Sequence, residues 1–87
     1  METRLKVYDA EEKGLYIGVF SQYLKLSDAK DAYRNSLDAV TEAKDNSIRI
    51  EIAEENASSV EGVIDIGVEE GEKFALALLN LCSAIKR

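Results

Sequence analysis

The carboxylates are the residues of this chain best suited to chemistry. It holds seventeen Asp and Glu in 87 positions and no histidine. Three groups sit close together: Glu69, Glu70 and Glu72; Glu54 and Glu55; Glu11 and Glu12. Oxygen-rich clusters of this kind can hold calcium or magnesium, or split acid and base roles between two carboxylates. None has the spacing of a calcium loop, whose ligands recur at set positions around a glycine turn. Nothing in the pattern encloses them in a pocket. Solvated loops and strand edges, where charge blocks unwanted pairing, account for them better. Without histidine the commonest general base and metal ligand is missing. The serines have no base partner and no G-x-S-x-G elbow. No glycine-rich phosphate cradle occurs. This inventory predicts a protein that is not an enzyme and that carries no metal and no cofactor.

Cys82 is the single thiol. It cannot form an intrachain disulfide, which excludes a disulfide scaffold. Its place on the apolar side of a helical pattern predicts a small buried hydrophobe. The net charge of −6 opposes phosphate binding, so no direct nucleic-acid contact is expected. A basic partner surface would be attracted. The hydrophobic fraction of 46% suits one globular domain over residues 1–87. No apolar run is long enough for a membrane span, and METRLKVYDA lacks the core of a signal peptide. A soluble, cytoplasmic protein is the default expectation. With no proline, the turns must use Gly, Asn, Asp and Ser.

The elements that must position these residues follow from periodicity. Residues 3–9 alternate, with Leu5 and Val7 on one face. Residues 15–24 form a longer strand: Leu15, Ile17 and Val19 share one face, and Tyr16, Phe20 and Leu24 the other. Gly14 suits a positive φ in the turn between them, which predicts a hairpin. Ser27 is placed to cap a helix with Asp28 and Asp31 in its first turn and Ala29, Tyr33, Leu37 and Val40 along one stripe, ending near Lys44. SIRIEIAEE alternates Ile48, Ile50 and Ile52 inward with Arg49 and Glu51 outward. EGVIDIGVEE does the same with Ile64, Ile66 and Val68, until Gly71 breaks it and a last helix begins. The fold class is α+β, in the order β-β-α-β-β-α, with a four-stranded antiparallel sheet and two helices on one face. The expected sheet order is 1-2-4-3, the last strand inserting beside the second.

The last helix has too few polar positions for a small domain. In FALALLNLC, residues 74–82, only Asn80 is polar. At 100° per residue, Phe74, Leu78, Leu81, Cys82 and Ile85 make one broad face suited to the sheet. Ala75, Leu76 and Leu79 form a flank beyond it. These three are the candidate interface, and Tyr16 and Phe20 on the far side of the sheet are a second one. Burying Leu76 and Leu79 is worth roughly 1.5–3 kcal/mol each. In a dimer this gives about 6–12 kcal/mol gross, against an association cost of about 4–15 kcal/mol. The flank alone is marginal, so strand pairing or a larger partner must help. If the first helix covers Leu76 and Leu79 instead, no partner is needed.

From the second strand onward, about residues 15–86, the chain resembles the Pcc-type small dimerisation subunit of the KEOPS complex. The resemblance rests on SDAKDAYRNSL at 27–37, with Ala32-Tyr33 and Leu37, then SIRIEIAEE, GVIDIGVEE and FALALLNLCSAI. It is a match of pattern and order. Family members often carry a leucine–arginine pair early in the last helix and an asparagine–serine pair in its middle. Here Phe74-Ala75 or Ala75-Leu76 stands at the first place, and Leu81 follows Asn80. A divergent member or paralogue that pairs with the regular small subunit fits these departures. The resemblance implies a non-catalytic scaffold in a complex that makes threonylcarbamoyladenosine on tRNA. It would form a homodimer, or a heterodimer with a related small subunit, and dock a larger catalytic subunit through its last helix. The alternative is a ferredoxin-like small-molecule-binding regulatory domain, against which SQYLKLS, lacking glycine, counts.

Overall fold

The computed structural model describes residues 5–38, 40 and 42–87. Its elements run β1 (Leu5–Tyr8), β2 (Leu15–Ser21), α1 (Leu26–Ser36), β3 (Ile48–Glu54), β4 (Gly62–Ile66) and α2 (Val68–Lys86). The four strands form one antiparallel sheet, so the α+β class and the β-β-α-β-β-α order hold.

The strand order is β1-β2-β3-β4, not the expected 1-2-4-3. The crossover rule behind that expectation governs parallel neighbours, and β2 and β3 are antiparallel. Length also favours this order. All seven residues of β2 pair with the seven of β3, from Leu15↔Glu54 to Ser21↔Ile48. The five-residue β4 would leave part of β2 unpaired and lies instead at an edge.

The β1–β2 hairpin turns where expected. Gly14 has φ +87°, and its carbonyl accepts from the N–H of Glu55 at 2.9 Å. The Asp9 carboxylate accepts the N–H groups of Glu12 (2.6 Å) and Glu11 (3.0 Å), which closes the loop and holds its carboxyl below its ordinary range. No atom crowds a methyl group at position 14. Gly14→Ala should therefore cost only the left-handed backbone term, about 1 kcal/mol, readable as a lower urea midpoint at unchanged slope.

Register puts Leu5, Val7, Ile17, Val19, Ile48, Ile50, Ile52, Ile64 and Ile66 on one face, as the alternation predicts. Both helices border that face. Leu26, Ala29 and Tyr33 of α1 line a depression with Val19 and Ile48. Phe74, Ala75 and Leu78 of α2 line another over Val19, Ile48, Ile50 and Ile66.

Helix α1 is shorter than expected. It starts at Leu26 after Lys25, and Ser27 lies inside its first turn rather than capping it. It ends at Ser36, so Leu37 and Val40 lie beyond it and are exposed, and Ala29 alone of its stripe is buried. Positions 39 and 41, within the expected helix, lie outside the described residues, as do residues 3 and 4 of the expected first strand. Helix α2 starts earlier than expected, at Val68, and Gly71 sits within it rather than before it. Leu24, expected on the Tyr16–Phe20 face, lies past the end of β2 and is fully exposed.

Candidate functional site: an uncovered helix and sheet face

Helix α2 grows directly out of β4 and is held at its first residue. Gly67 precedes it in ordinary extended backbone and offers no side chain to cap it. Asp45, from the loop before β3, caps it instead. One carboxylate oxygen accepts the N–H of Val68 at 2.8 Å, and the other accepts the N–H of Ser47 at 3.0 Å. A negative charge at this end also suits the helix dipole. Burial pulls the Asp45 carboxyl upward, but the N–H groups of Val68 and Ser47 outweigh it and leave it below its ordinary range. Gly67 is needed here for space. A Cβ at position 67 would lie 2.8 Å from Cβ, Cγ and Oδ2 of Asp45. One turn on, Gly71 lets the helix approach the sheet, with Ile48 Cδ1 3.0 Å from where a Cβ would stand.

Beyond that anchor the helix is bare. None of its nineteen residues is buried. Leu76 and Leu79, the expected interface flank, are 60% and 64% exposed, so α1 does not cover them. The expected sheet-facing stripe is equally open: Phe74, Leu78, Leu81 and Ile85 are all more than half exposed. Ala75 stands with Phe74 and Leu78 over the gap above Ile48 and Ile50 rather than on the outer flank. Cys82, expected to be buried, is exposed for the same reason.

The apolar sheet face is also uncovered toward the β1–β2 hairpin. Leu5, Val7, Ile17, Ile52 and Ile64 are each at least two-fifths exposed. Among the described residues the hydrophobic side chains that are buried are those of Ala29 and Ala53, and no large one is. The accessible surface of 7037 Å² compares with about 5,100 Å² for a compact monomer of 9.6 kDa. The radius of gyration of 15.1 Å exceeds the roughly 12 Å of a compact chain this long.

The opposite face of the sheet carries Tyr16 and Phe20, in register with Ala53 and Arg49. Tyr16 is half-buried between Tyr8, whose ring centroid is 5.7 Å away, and Lys6, whose ammonium sits 4.7 Å from the Tyr16 ring. The Tyr8 hydroxyl donates to Glu55 at 2.6 Å, which holds its phenol pKa above the ordinary value. Arg49 grips Asp65 through two N–H donors at 2.8 and 3.2 Å and holds that carboxyl down. These side chains largely satisfy one another. The structure thus separates the five expected interface residues: Ala75, Leu76 and Leu79 belong with the bare apolar side, Tyr16 and Phe20 with its polar reverse.

Among the described residues no three Asp, Glu or Cys side chains converge as a metal site would need. No helix among them is long and apolar enough to cross a membrane. No family model, no curated protein and no solved structure matches this chain.

Proposed function

We propose that this chain is a non-catalytic dimerisation and scaffold subunit, which completes its own core only against a partner. The observation that carries this reading is the absence, among the described residues, of any large buried side chain beside an apolar helix and sheet face left in the open. The uncovered surface exceeds that of a compact monomer by about 1,900 Å². A symmetric pair hiding that much on each side would bury about 3,800 Å², within the range of obligate homodimers. The flank that was marginal by itself is one part of a larger surface.

The resemblance to the Pcc-type small subunit supplies the finer reading. The chain would act in a complex making threonylcarbamoyladenosine on tRNA, where larger kinase-like and ATPase-like subunits do the chemistry. It would pair with itself or with a related small subunit and present α2 to the catalytic one. The match in element order supports this. Sedimentation of the purified chain at about 50 μM should show a dimer. A clean monomer that also ignores a charge in α2 would end the scaffold reading. A pull-down from native cells, read by mass spectrometry, tests the finer one: recovery of the two catalytic subunits is the expected result.

The regulatory-domain alternative rests on the apolar depression beside α1, about 320 Å³ and bordered by Tyr33 and Ser47. Thermal shift against amino acids and nucleotides separates it from the scaffold, which should show no stabilisation by either.

A further inference from the structure

The charge of this chain is collected at one end of the sheet. Residues 9–14 join β1 to β2, and Glu54, the last residue of β3, leads into residues 55–61, which join it to β4. Both segments lie at the same end, since Leu15 pairs with Glu54 and the Glu55 N–H meets the Gly14 carbonyl. Together they hold Asp9, Glu11, Glu12, Glu54, Glu55 and Glu61 against Lys13, six acids less one base. That is five of the six net negative charges of the whole chain. Inside this rim lies an open depression of about 390 Å³, lined by Val7, Leu15, Ile17 and Ile52 of the apolar face and by Tyr8 and Tyr16 of its reverse.

Helix α2 has the opposite design. Its acids, Glu69, Glu70 and Glu72, are confined to its start. From Phe74 to Ile85 it carries no charge, and it ends in Lys86 and Arg87. Ile85 is 73% exposed. Among the described residues the ion pairs are Arg49–Asp65 and Lys73–Glu70, so neither basic residue of the tip is in one.

Building on the dimerisation reading, we propose that the tip of α2 docks in trans on the hairpin end of a second copy of this chain. Ile85 enters the Val7–Ile17–Ile52 depression, and Lys86 and Arg87 meet the acidic rim. A second copy is the occupant because each molecule carries both halves of the contact, so one two-fold operation covers both. Nineteen helical residues span about 28 Å, against about 23 Å for the seven-residue β2. A helix anchored at one end of its own sheet is thus long enough to reach the far end of a facing sheet. The pairing also neutralises the charge that would otherwise oppose the meeting of two chains of −6.

Three variants of the full chain test this, with sedimentation at low and physiological salt. K86E/R87E and E11K/E12K should each weaken dimerisation about ten-fold at low salt, and less at high salt. The four-fold variant carrying both swaps should bind more tightly than either two-fold variant, because the pairs to positions 11 and 12 are restored with reversed sign, but stay weaker than the native chain, because Asp9, Glu54, Glu55 and Glu61 keep the rim net negative. All four positions are exposed, and the hydrogen bonds of Glu11 and Glu12 run through their backbone groups, so folding is kept. A cross-link locates the contact. An A10C/C82A chain mixed with the native chain and oxidised should give a disulfide between Cys82 and the new thiol at position 10, which only two different molecules can form. A dimer that ignores both charge swaps, or whose four-fold variant is no tighter than the two-fold ones, overturns the tip docking and leaves the dimerisation reading standing. So does a mixture that yields no 10–82 bond. A monomer overturns both.

Discussion

On the dimer proposed above, a Leu79→Asp chain should sediment as a folded monomer at concentrations where the native chain is expected to pair. Leu79 is 64% exposed on a helix with no buried residue, so the substitution should leave the secondary structure intact by circular dichroism. Its effect falls on the pair. In a two-fold contact the change counts twice. Each leucine buried against a partner is worth about 1.5–3 kcal/mol, so losing both weakens the dimer by about 10²–10⁴-fold. Two carboxylates forced into an apolar contact add to that. A dimer unmoved by the change would remove this flank of α2 from the interface.

The second large effect is at the root of the helix. Gly67→Ala places a methyl group 2.8 Å from three atoms of the Asp45 side chain, and Asp45 is already committed to the N–H groups of Val68 and Ser47. The carboxylate must move, and α2 loses its cap. A lost cap with a stranded donor costs about 1–3 kcal/mol, which lowers the melting temperature of a domain this size by roughly 5–20 °C. Asp45→Ala should cost a similar amount by removing the acceptors directly. The double variant should lose less than the two single losses together, since both break one contact. Melting must be compared at one protomer concentration, because pairing shifts it. Additive losses would show that Gly67 and Asp45 act separately.

The same clasp fixes a pH dependence. The Asp45 carboxyl is lowered in the folded chain, so it adds stability above the ordinary carboxylate value near 3.9. That contribution is lost as pH falls from there through the folded value. Native chain and Asp45→Ala should therefore differ at neutral pH and converge in strong acid.

Residue type and period decided a good deal. Alternation in Ile48–Ile52 and Ile64–Ile66 set which side chains share a face, because successive strand side chains must point to opposite sides. Gly14 marked its turn, since few other residues accept that backbone. The apolar character of residues 74–85 was legible as a surplus, and the surplus is what the structure leaves exposed. Leu76 and Leu79 could be named as an open flank from helical spacing alone, whereas Ala75 lies over the gap above the sheet. The hairpin depression and its acidic rim could not, because they join segments forty residues apart that only sheet pairing brings together.

Period says which face a residue is on; it does not say which strand lies beside it. The pairing of β2 with β3 followed from matched length in an antiparallel register, a property of two elements together. The start of α2 was equally hidden. It depends on a cap from Asp45, 23 positions before Val68, and on a glycine that must be small because of that neighbour. Cys82 shows the same limit from the other side: helical spacing put it on an apolar stripe, but burial needs an opposing surface. The sequence by itself determined an apolar helix, the faces of the strands and the element order. Tertiary structure decided that the helix is anchored at one end and that the described residues leave the rest of it uncovered.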